Sequence, residues 1–233
     1  MSASVPPVHT VALAAAVPVV RTILNRDFRS NTYAVRVGSS AAAPTACVLI
    51  DPGLNREAIE ADLAECGWQP HAVLCTHGHF DHVGSAAWAQ RMYQVPVYLC
   101  AADLKLAKMA NFLLTACKLP QRISLPEFTL LPPNATVVVG EKAFTFHALP
   151  GHTPGSAGIT VDDLLFSGDS LYARRTALSQ LPGEDHAQLR QSLRQLFTWI
   201  GGDVIVYPGH GSSTTIADIQ QHNEELRAFM AEA

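Results

Sequence analysis

The chain has 233 residues, of which 48% are hydrophobic and 15% are charged, and its formal net charge is -4 at pH 7. This supplies enough apolar material for a sizeable core, while the mild acidity and the absence of any Lys/Arg run exclude the electrostatic footprint of a protein that binds nucleic acid or an anionic membrane surface. The five cysteines are odd in number and none has metal-site spacing, so they are interpreted as free thiols in a reducing cytosol.

The first predicted feature along the chain is an apolar N-terminal stretch. Residues Val11–Val20 are apolar, but the first Lys or Arg, Arg21, follows this run instead of preceding it. The run is therefore interpreted as an arm leading into the first strand, with a secretory signal as the alternative. No apolar stretch is long enough to span a membrane. We expect a cytoplasmic protein with a single domain over residues 1–233.

Ten apolar, β-branched runs predict strands. In chain order they are Val17–Leu24, Thr32–Val37, Ala46–Ile50, Ala72–Cys75, Val97–Cys100, Thr136–Val139, Phe144–Leu149, Gly158–Val161, Leu164–Phe166 and Val204–Tyr207. Two connections between strands are short, a hairpin loop at residues 41–44 and a tight turn at Asp162-Asp163.

Helices are predicted between and after these strands. Asn55 and Asp185 are expected to cap two of them, and Gly67 closes the first. The remaining helices are predicted over Val83–Tyr93, over Asp103–Leu114, and from Thr215 onward. Several strands follow one another along the chain, with helices between and after them. This order predicts an α/β protein with two sheets covered by outer helices.

Four of the predicted strands end in loops that carry His or Asp beside Gly or Pro. These loops lie at residues 75–82, 150–156, 167–169 and 208–211. Loops at the ends of strands are favoured places for sites that need precise positioning, because a rigid sheet supports them. We therefore expect the four loops to form one site.

The four loops contain five of the ten histidines and two aspartates, and these seven side chains are candidate metal ligands. They are His77, His79, Asp81, His82, His152, Asp169 and His210. Imidazole and carboxylate without thiolate suit zinc, iron or manganese. Because one four-coordinate zinc cannot use seven ligands, the number of ligands predicts two metal ions per chain, zinc in the first place and iron or manganese as alternatives.

This pattern resembles the metallo-β-lactamase superfamily, and within it the glyoxalase II-like hydrolases. The matching elements are His77-x-His79-x-Asp81-His82, Gly151-His152, Gly168-Asp169 and Gly209-His210, and the resemblance runs from about Asn31-Thr32-Tyr33 through Leu49–Gly53 to Thr215. The resemblance implies a four-layer αββα sandwich. It is highly specific for the fold and much less specific for the substrate.

The resemblance also implies roles for the seven ligands. His77, His79 and His152 would hold one metal, and Asp81, His82 and His210 the second, with Asp169 as a bridge between them. True β-lactamases of this fold lack that bridging Asp, so Asp169 argues against antibiotic hydrolysis. Asp51 resembles an early carboxylate of the family that orients ligands, and its alternative role is that of a turn residue before Pro52-Gly53.

The implied reaction is hydrolysis, in which a hydroxide bridging the two metals attacks a thioester or ester carbonyl. Asp81 is expected to act first as a ligand and second as a proton shuttle. Tyr172 occupies a position similar to that of a Tyr used by the lactonase branch. It is a candidate hydrogen-bond donor to the developing oxyanion, and its alternative role is an aromatic wall of the pocket.

Residues 170–183 depart from the glyoxalase II-like pattern. The Gly-Arg element of the family falls at Ala177-Leu178, which puts glutathione thioesters in doubt. Arg174 and Arg175 could bind a substrate carboxylate instead, and their alternative is a solvated surface pair. The segment Asp103–Leu119 is rich in apolar residues and is predicted to be a pocket lid, a dimer face or a helix packed on the core.

Several functions remain open at this point. A glyoxalase II-like hydrolase leads, and the alternatives are a mononuclear iron persulfide dioxygenase, a lactonase and a metal-binding scaffold without activity. The expected partner is a small-molecule substrate, with neither nucleic acid nor membrane, and a homodimer is an option that the sequence leaves open.

Overall fold

The computed structural model describes residues 19–38, 44–176, 178 and 183–232. The described residues form two six-stranded sheets, and the chain completes the first sheet before it enters the second. Residues 41–43 of the predicted hairpin loop and most of the predicted N-terminal arm lie outside the described residues.

The first sheet has its strands in sequence order. They are β1 (Val20–Leu24), β2 (Asn31–Arg36), β3 (Thr45–Ile50), β4 (Trp68–Leu74), β5 (Val97–Cys100) and β6 (Phe128–Leu131). The pairs β1–β2 and β2–β3 are antiparallel, whereas β3, β4, β5 and β6 run parallel to one another. The carboxyl ends of β3 and β4 therefore lie at the same edge.

The second sheet runs in order from β7 to β12. Its strands are β7 (Thr136–Val139), β8 (Lys142–Ala148), β9 (Ala157–Val161), β10 (Leu164–Gly168), β11 (Ile205–Pro208) and β12 (Thr214–Thr215). β10 and β11 are parallel, and β9 is antiparallel to both β8 and β10. Hence β8, β10 and β11 all point the same way, and their carboxyl ends share one edge.

The helices follow the strands that they cover. They are α1 (Arg56–Cys66), α2 (Phe80–Val83), α3 (Ala86–Tyr93), α4 (Leu104–Lys108), α5 (Ala110–Ala116), α6 (His186–Trp199), α7 (Ile216–His222) and α8 (Glu224–Ala231). As predicted, the side chains of Asn55 and Asp185 accept hydrogen bonds from backbone N–H groups at the start of α1 and α6, and Gly67 ends α1 in the left-handed conformation.

Alternating residues on the strands build the layers of the sandwich. On β3, Val48 and Ile50 face the second sheet and pack in one buried cluster with Phe144 and Ile159. Leu49, the residue between them, packs on the opposite face in a cluster with helices α1 and α3. The outer face of the second sheet packs against α6, α7 and α8. The order of layers is helix, sheet, sheet, helix, as the resemblance implies.

All ten predicted strands are present, with boundaries that shift by a few residues. The sequence missed β6 and β12, because these strands have only four and two residues and are too short to give a periodic pattern. Three predicted helices are interrupted. The helix predicted at Val83–Tyr93 breaks at Gly84-Ser85, and the last helix breaks at Asn223, whose side chain caps α8.

The segment Asp103–Leu119 packs on the body of the protein, which supports the third of the predicted alternatives. It forms a short 3-10 turn followed by α4 and α5 in place of the single helix predicted. Leu106, Leu113 and Leu114 are buried with Phe80 in a cluster of their own. Along the described part of the chain, no helix combines the length and apolar character needed to span a membrane.

Candidate metal centre

Strand direction explains why distant loops meet. Asp51 and His77 follow the parallel strands β3 and β4, and His152, Asp169 and His210 follow β8, β10 and β11. These five strand ends lie at one edge of the sandwich, and the side chains of the seven predicted ligands come together there. All seven are largely or fully buried, and His210 is the most accessible with a side chain 14% exposed.

Three imidazoles form the first set of candidate ligands. His79 Nδ1 lies 3.1 Å from His77 Nε2 and 3.0 Å from His152 Nε2. Nitrogens that bind zinc tetrahedrally at about 2.0–2.1 Å would be about 3.4 Å apart, so this spacing suits one ion on three imidazoles. The three ring nitrogens converge on one point, as the resemblance implied for His77, His79 and His152.

The second set consists of Asp81, His82 and His210. Asp81 Oδ2 lies 3.4 Å from His210 Nε2 and 3.6 Å from His82 Nε2. A mixed set of two imidazoles and one carboxylate is suited to zinc, iron or manganese. These three residues also gather as the sequence predicted.

Asp169 lies between the two sets. Its Oδ2 atom is 3.6 Å from His152 Nε2 in the first set and 3.4 Å from His210 Nε2 in the second, and its Oδ1 atom is 3.4 Å from His82 Nε2. One carboxylate therefore faces donors of both sets. This is the placement that a bridging ligand requires.

The charges around the site fit a cation. His82 Nε2 and Asp169 Oδ1 are buried polar atoms without a hydrogen-bond partner among the described residues. Burial alone would raise the pKa of the Asp169 carboxyl, but the positive charge of His82 outweighs it and holds that pKa well below its usual range. The carboxylates thus select for positive charge, which a divalent ion would supply.

Two imidazoles of the first set, those of His77 and His79, are suited to metal because burial keeps them neutral. Burial lowers the pKa of His79 to about 4. Burial, reinforced by His82, also holds the pKa of His77 well below its usual value. A neutral imidazole offers the lone pair that ligation requires, so both side chains are ready to bind an ion at neutral pH.

Asp51 fixes the orientation of two histidines. Its carboxylate accepts hydrogen bonds from the Thr76 backbone N–H and hydroxyl, both at 2.7 Å, and from His82 Nδ1 at 3.0 Å. Since the Thr76 hydroxyl donates to Asp51, it must accept from His77 Nδ1 at 3.0 Å. Both imidazoles therefore direct Nε2 toward the cluster. The structure favours the ligand-orienting interpretation of Asp51 over a simple turn residue.

Asp103 is a positioning residue that sequence reasoning missed. It is fully buried, and its carboxylate accepts hydrogen bonds from Gly78 N at 2.7 Å, Gly155 N at 2.6 Å and the Thr153 hydroxyl at 2.7 Å. It thus ties the loop of His77 and His79 to the loop of His152. The contacts join residues 25 to 52 positions apart along the chain, and an isolated Asp at the start of an apolar segment gives no signal of them.

Glycines beside the ligands are required by close packing. A Cβ atom on Gly209 would lie 1.9 Å from Asp169 Oδ1, and a Cβ on Gly168 would lie 2.4 Å from the Thr76 hydroxyl. Gly168 also has φ +50°, which disfavours other residues. The Gly before Asp169 and the Gly before His210 are therefore explained by the approach of one loop to the next.

Tyr172 and Arg175 reach the site, whereas Arg174 does not. Tyr172 is 3% exposed and lines the cleft beside Asp169, and the Arg175 guanidinium lies 5.2 Å from the centre of its ring. Arg174 points away and forms an ion pair with Asp218 at 2.6 Å, with 56% of its side chain exposed. Arg174 therefore fits the alternative prediction of a solvated surface residue, because its charge is paired with Asp218 outside the cleft.

The cleft over the cluster has a volume of about 260 Å³. Phe28, Phe80 and Cys117 form its apolar wall opposite the ligands. Glu184 is a second residue that the sequence did not indicate. Its side chain is 3% exposed, with Oε1 3.9 Å from His152 Nδ1. His147 is not part of the site, since it bonds to Thr160 and packs against Trp199.

The chain is similar to several known proteins. The family model of the metallo-beta-lactamase superfamily matches residues 25–210. The hydroxyacylglutathione hydrolase GloC of Haemophilus influenzae is 30% identical over 190 residues, which cover 77% of this chain and 87% of that protein. The probable metallo-hydrolase YqgX of Bacillus subtilis is 28% identical over 188 residues, which cover 78% of this chain and 88% of that protein.

The fold of the chain is also similar to that of several solved structures. The crystal structure of TTHA1623 in a di-iron-bound form has a TM-score of 0.76 at 32% identity, covering 88% of this chain and 98% of that one. The crystal structure of BLEG-1 B3 metallo-beta-lactamase has a TM-score of 0.75 at 28% identity, covering 89% and 99%.

Proposed function

Because the chain belongs to the metallo-beta-lactamase superfamily, as its sequence predicted, we propose that it is a metal-dependent hydrolase of thioesters or related esters. The two sets of ligands would each hold one divalent ion, zinc in the first place and iron or manganese as alternatives. The name of the similar hydroxyacylglutathione hydrolase favours a thioester as the substrate class.

The position of Asp169 carries this proposal. Its carboxylate lies within 3.6 Å of imidazole nitrogens from both sets, so that one side chain can serve two ions. A single ion would leave buried donors of the other set without a partner, which is costly in a protein interior. The similar protein TTHA1623, solved in a di-iron-bound form and 32% identical, supports the same number of ions.

Two bound divalent ions would supply Lewis acidity, which lowers the pKa of water toward about 7 and polarises a carbonyl. The protein's own residues would hold and position the ions. The imidazoles would bind the ions, and Asp51 and Asp103 would keep the ligand loops in place. Asp81 faces the cleft with a carboxylate that can accept a proton, although its first role is that of a ligand.

Tyr172 would assist at the carbonyl oxygen. Burial raises the pKa of its phenol well above the usual value, and the nearby Asp169 carboxylate adds to this effect. The hydroxyl therefore stays protonated and can donate a hydrogen bond to a developing oxyanion. This placement also favours a second candidate function, hydrolysis of lactones, for which the same donor would be used.

The test is a panel of substrates with metal-loaded protein. Acyl thioesters, an acyl-homoserine lactone, a β-lactam and a persulfide with measured oxygen uptake would separate the hydrolases from the dioxygenase. We expect thioester turnover with two metal equivalents per chain. Oxygen uptake with one iron per chain, or no turnover of any ester despite full metal loading, would contradict the proposal.

A further inference from the structure

The turn between β1 and β2 holds two consecutive residues in an unfavourable backbone conformation. Phe28 has φ 60° and Arg29 has φ 55°, the left-handed region that residues other than glycine seldom adopt. Neither residue is Gly, Asn or Asp, which reach this region at lower cost. Strain of this kind persists only where the surroundings impose it, and it is concentrated at functional sites.

Hydrogen bonds fix this turn to the metal centre. Asn25 donates to Ser30 O from its backbone N–H at 2.9 Å and from its side-chain amide at 3.0 Å. Ser30 in turn donates from its hydroxyl to Asp81 O at 2.8 Å and forms a β-bridge with His210. The turn is therefore attached to two ligand loops, one that follows a strand of the first sheet and one that follows a strand of the second, and its residues are held at the rim of the cleft.

The turn presents an aromatic ring and a positive charge to the cleft. The Phe28 ring is in edge-on contact with Phe80, with centroids 5.0 Å apart, yet Phe28 remains 46% exposed. Next to it, Arg29 lines a second cavity of about 600 Å³. This cavity shares Phe28, Arg175 and His210 with the cleft over the metal cluster, so that the two are continuous.

The second cavity carries positive charge in a protein that is negative overall. Two arginines, Arg29 and Arg175, line it, and none of its lining residues is an Asp or Glu, although the chain has a net charge of -4. Neither arginine forms an ion pair within the described ranges, whereas the adjacent Arg174 is paired with Asp218. Two arginines without an ion-pair partner that line the same cavity are suited to an oxyanion.

We propose that this second cavity binds an anionic group of the substrate, a carboxylate or a phosphate, that lies away from the scissile bond. Arg29 and Arg175 would hold the anion, and Phe28 would cover the apolar part of the substrate that leads to the metal centre. This inference rests on the proposed hydrolase function, which it extends to substrates with a charged group several atoms from the scissile carbonyl.

Matched substrates test the proposal. We would compare phenylacetyl thioesters of 3-mercaptopropionate, of its neutral amide and of 2-mercaptoethyl phosphate with the metal-loaded protein. The preference in kcat/KM for an anionic substrate over the amide is expected to be roughly tenfold and to weaken in high salt. The carboxylate and phosphate arms identify which anion fits better.

Variants show where the preference arises. Arg29→Gln and Arg175→Gln should each bring the ratio of charged to neutral kcat/KM toward one, mainly through KM, and Arg174→Gln is the matched control that should leave the ratio unchanged. Equal kcat/KM for charged and neutral substrates in the wild-type protein would overturn the proposal. So would equal effects of all three substitutions.

A binding experiment separates this inference from the proposed function. Titration calorimetry of the metal-loaded protein with 3-(methylthio)propionate and with its amide needs no turnover. We expect the wild-type protein to bind the carboxylate more tightly than the amide, and Arg29→Gln and Arg175→Gln to lose this preference. That result would support the anion site even if no thioester is hydrolysed. Binding that all variants retain would contradict the anion site even if thioesters are hydrolysed.

Discussion

The metal cluster and the rim of the cleft differ in how the protein holds their side chains. In the cluster, buried imidazoles and carboxylates are fixed by further hydrogen bonds, as in the chain from His77 through Thr76 to Asp51. At the rim, Phe28, Arg29 and Arg175 are exposed, and the backbone of the turn is strained. The cluster is therefore organised for chemistry that needs fixed geometry, and the rim for contact with a variable part of a ligand.

The strongest test of this difference is removal of the shared carboxylate. Asp169→Ala should reduce kcat/KM on the order of a thousandfold or more, because several kcal/mol of transition-state stabilisation depend on the metal pair. Metal content should fall below two equivalents while the circular dichroism spectrum stays native. Turnover close to that of the wild-type protein would show that Asp169 does not join the two sets.

The next test addresses the support beneath the first set of ligands. Asp103→Asn replaces an acceptor of three hydrogen bonds with a group that has one acceptor atom, so the loops of His79 and His152 should lose their common anchor. We expect metal affinity to fall by about 10–100-fold. Competition with a chelator measures this, and Asp163→Asn, in the turn between β9 and β10, is a control of the same chemistry outside the site.

Metal removal should have an intermediate effect on stability. An ion that binds only the folded protein stabilises it by about 2.7 kcal/mol at a concentration 100 times its Kd. Chelation should therefore lower Tm, and the shift should be smaller in Asp169→Ala. Thermal unfolding followed by circular dichroism would test this, and identical Tm values with and without chelator would argue against a site that is complete only in the folded state.

The smallest expected effect concerns the strained rim. Arg29→Gly removes the backbone strain of a non-glycine residue in the left-handed conformation, but it also makes the unfolded chain more flexible. The net effect should be to stabilise the protein by about 0.5–1 kcal/mol. The same substitution should weaken binding of anionic substrates. Denaturant unfolding gives the first quantity, and a loss of stability would mean that Arg29 makes favourable contacts at the rim that outweigh its backbone strain.

The sequence predicted the cluster better than the rim, and the reason is physical. Five of the seven ligands stand in strand-end loops directly beside a glycine, such as Gly168 or Gly209, and close packing forces that pattern into the sequence. Asp103 acts through contacts between distant loops, which leave no local signature. Phe28 and Arg29 adopt their conformation because Asn25, Ser30 and the ligand loops impose it, against their own preferences.

The two arginines after Asp169 illustrate the same limit. Arg174 and Arg175 are neighbours with the same chemistry, and the sequence predicted the same alternatives for both, either binding of a substrate carboxylate or a solvated surface position. The structure separates them, since Arg174 pairs with Asp218 outside the cleft and Arg175 lies over Tyr172. Which way a side chain points in an irregular segment depends on partners from other elements, here α7 in the case of Asp218.

The most direct test of the account is a crystal structure of the metal-loaded protein with anomalous diffraction data. We predict two anomalous peaks about 3.5–4 Å apart, the separation typical of two-metal sites, one on His77, His79 and His152 and the other on Asp81, His82 and His210, with an Asp169 oxygen close to each. A single peak, or an Asp169 side chain turned away from both ions, would contradict the claim that these loops converge to hold a pair of metals.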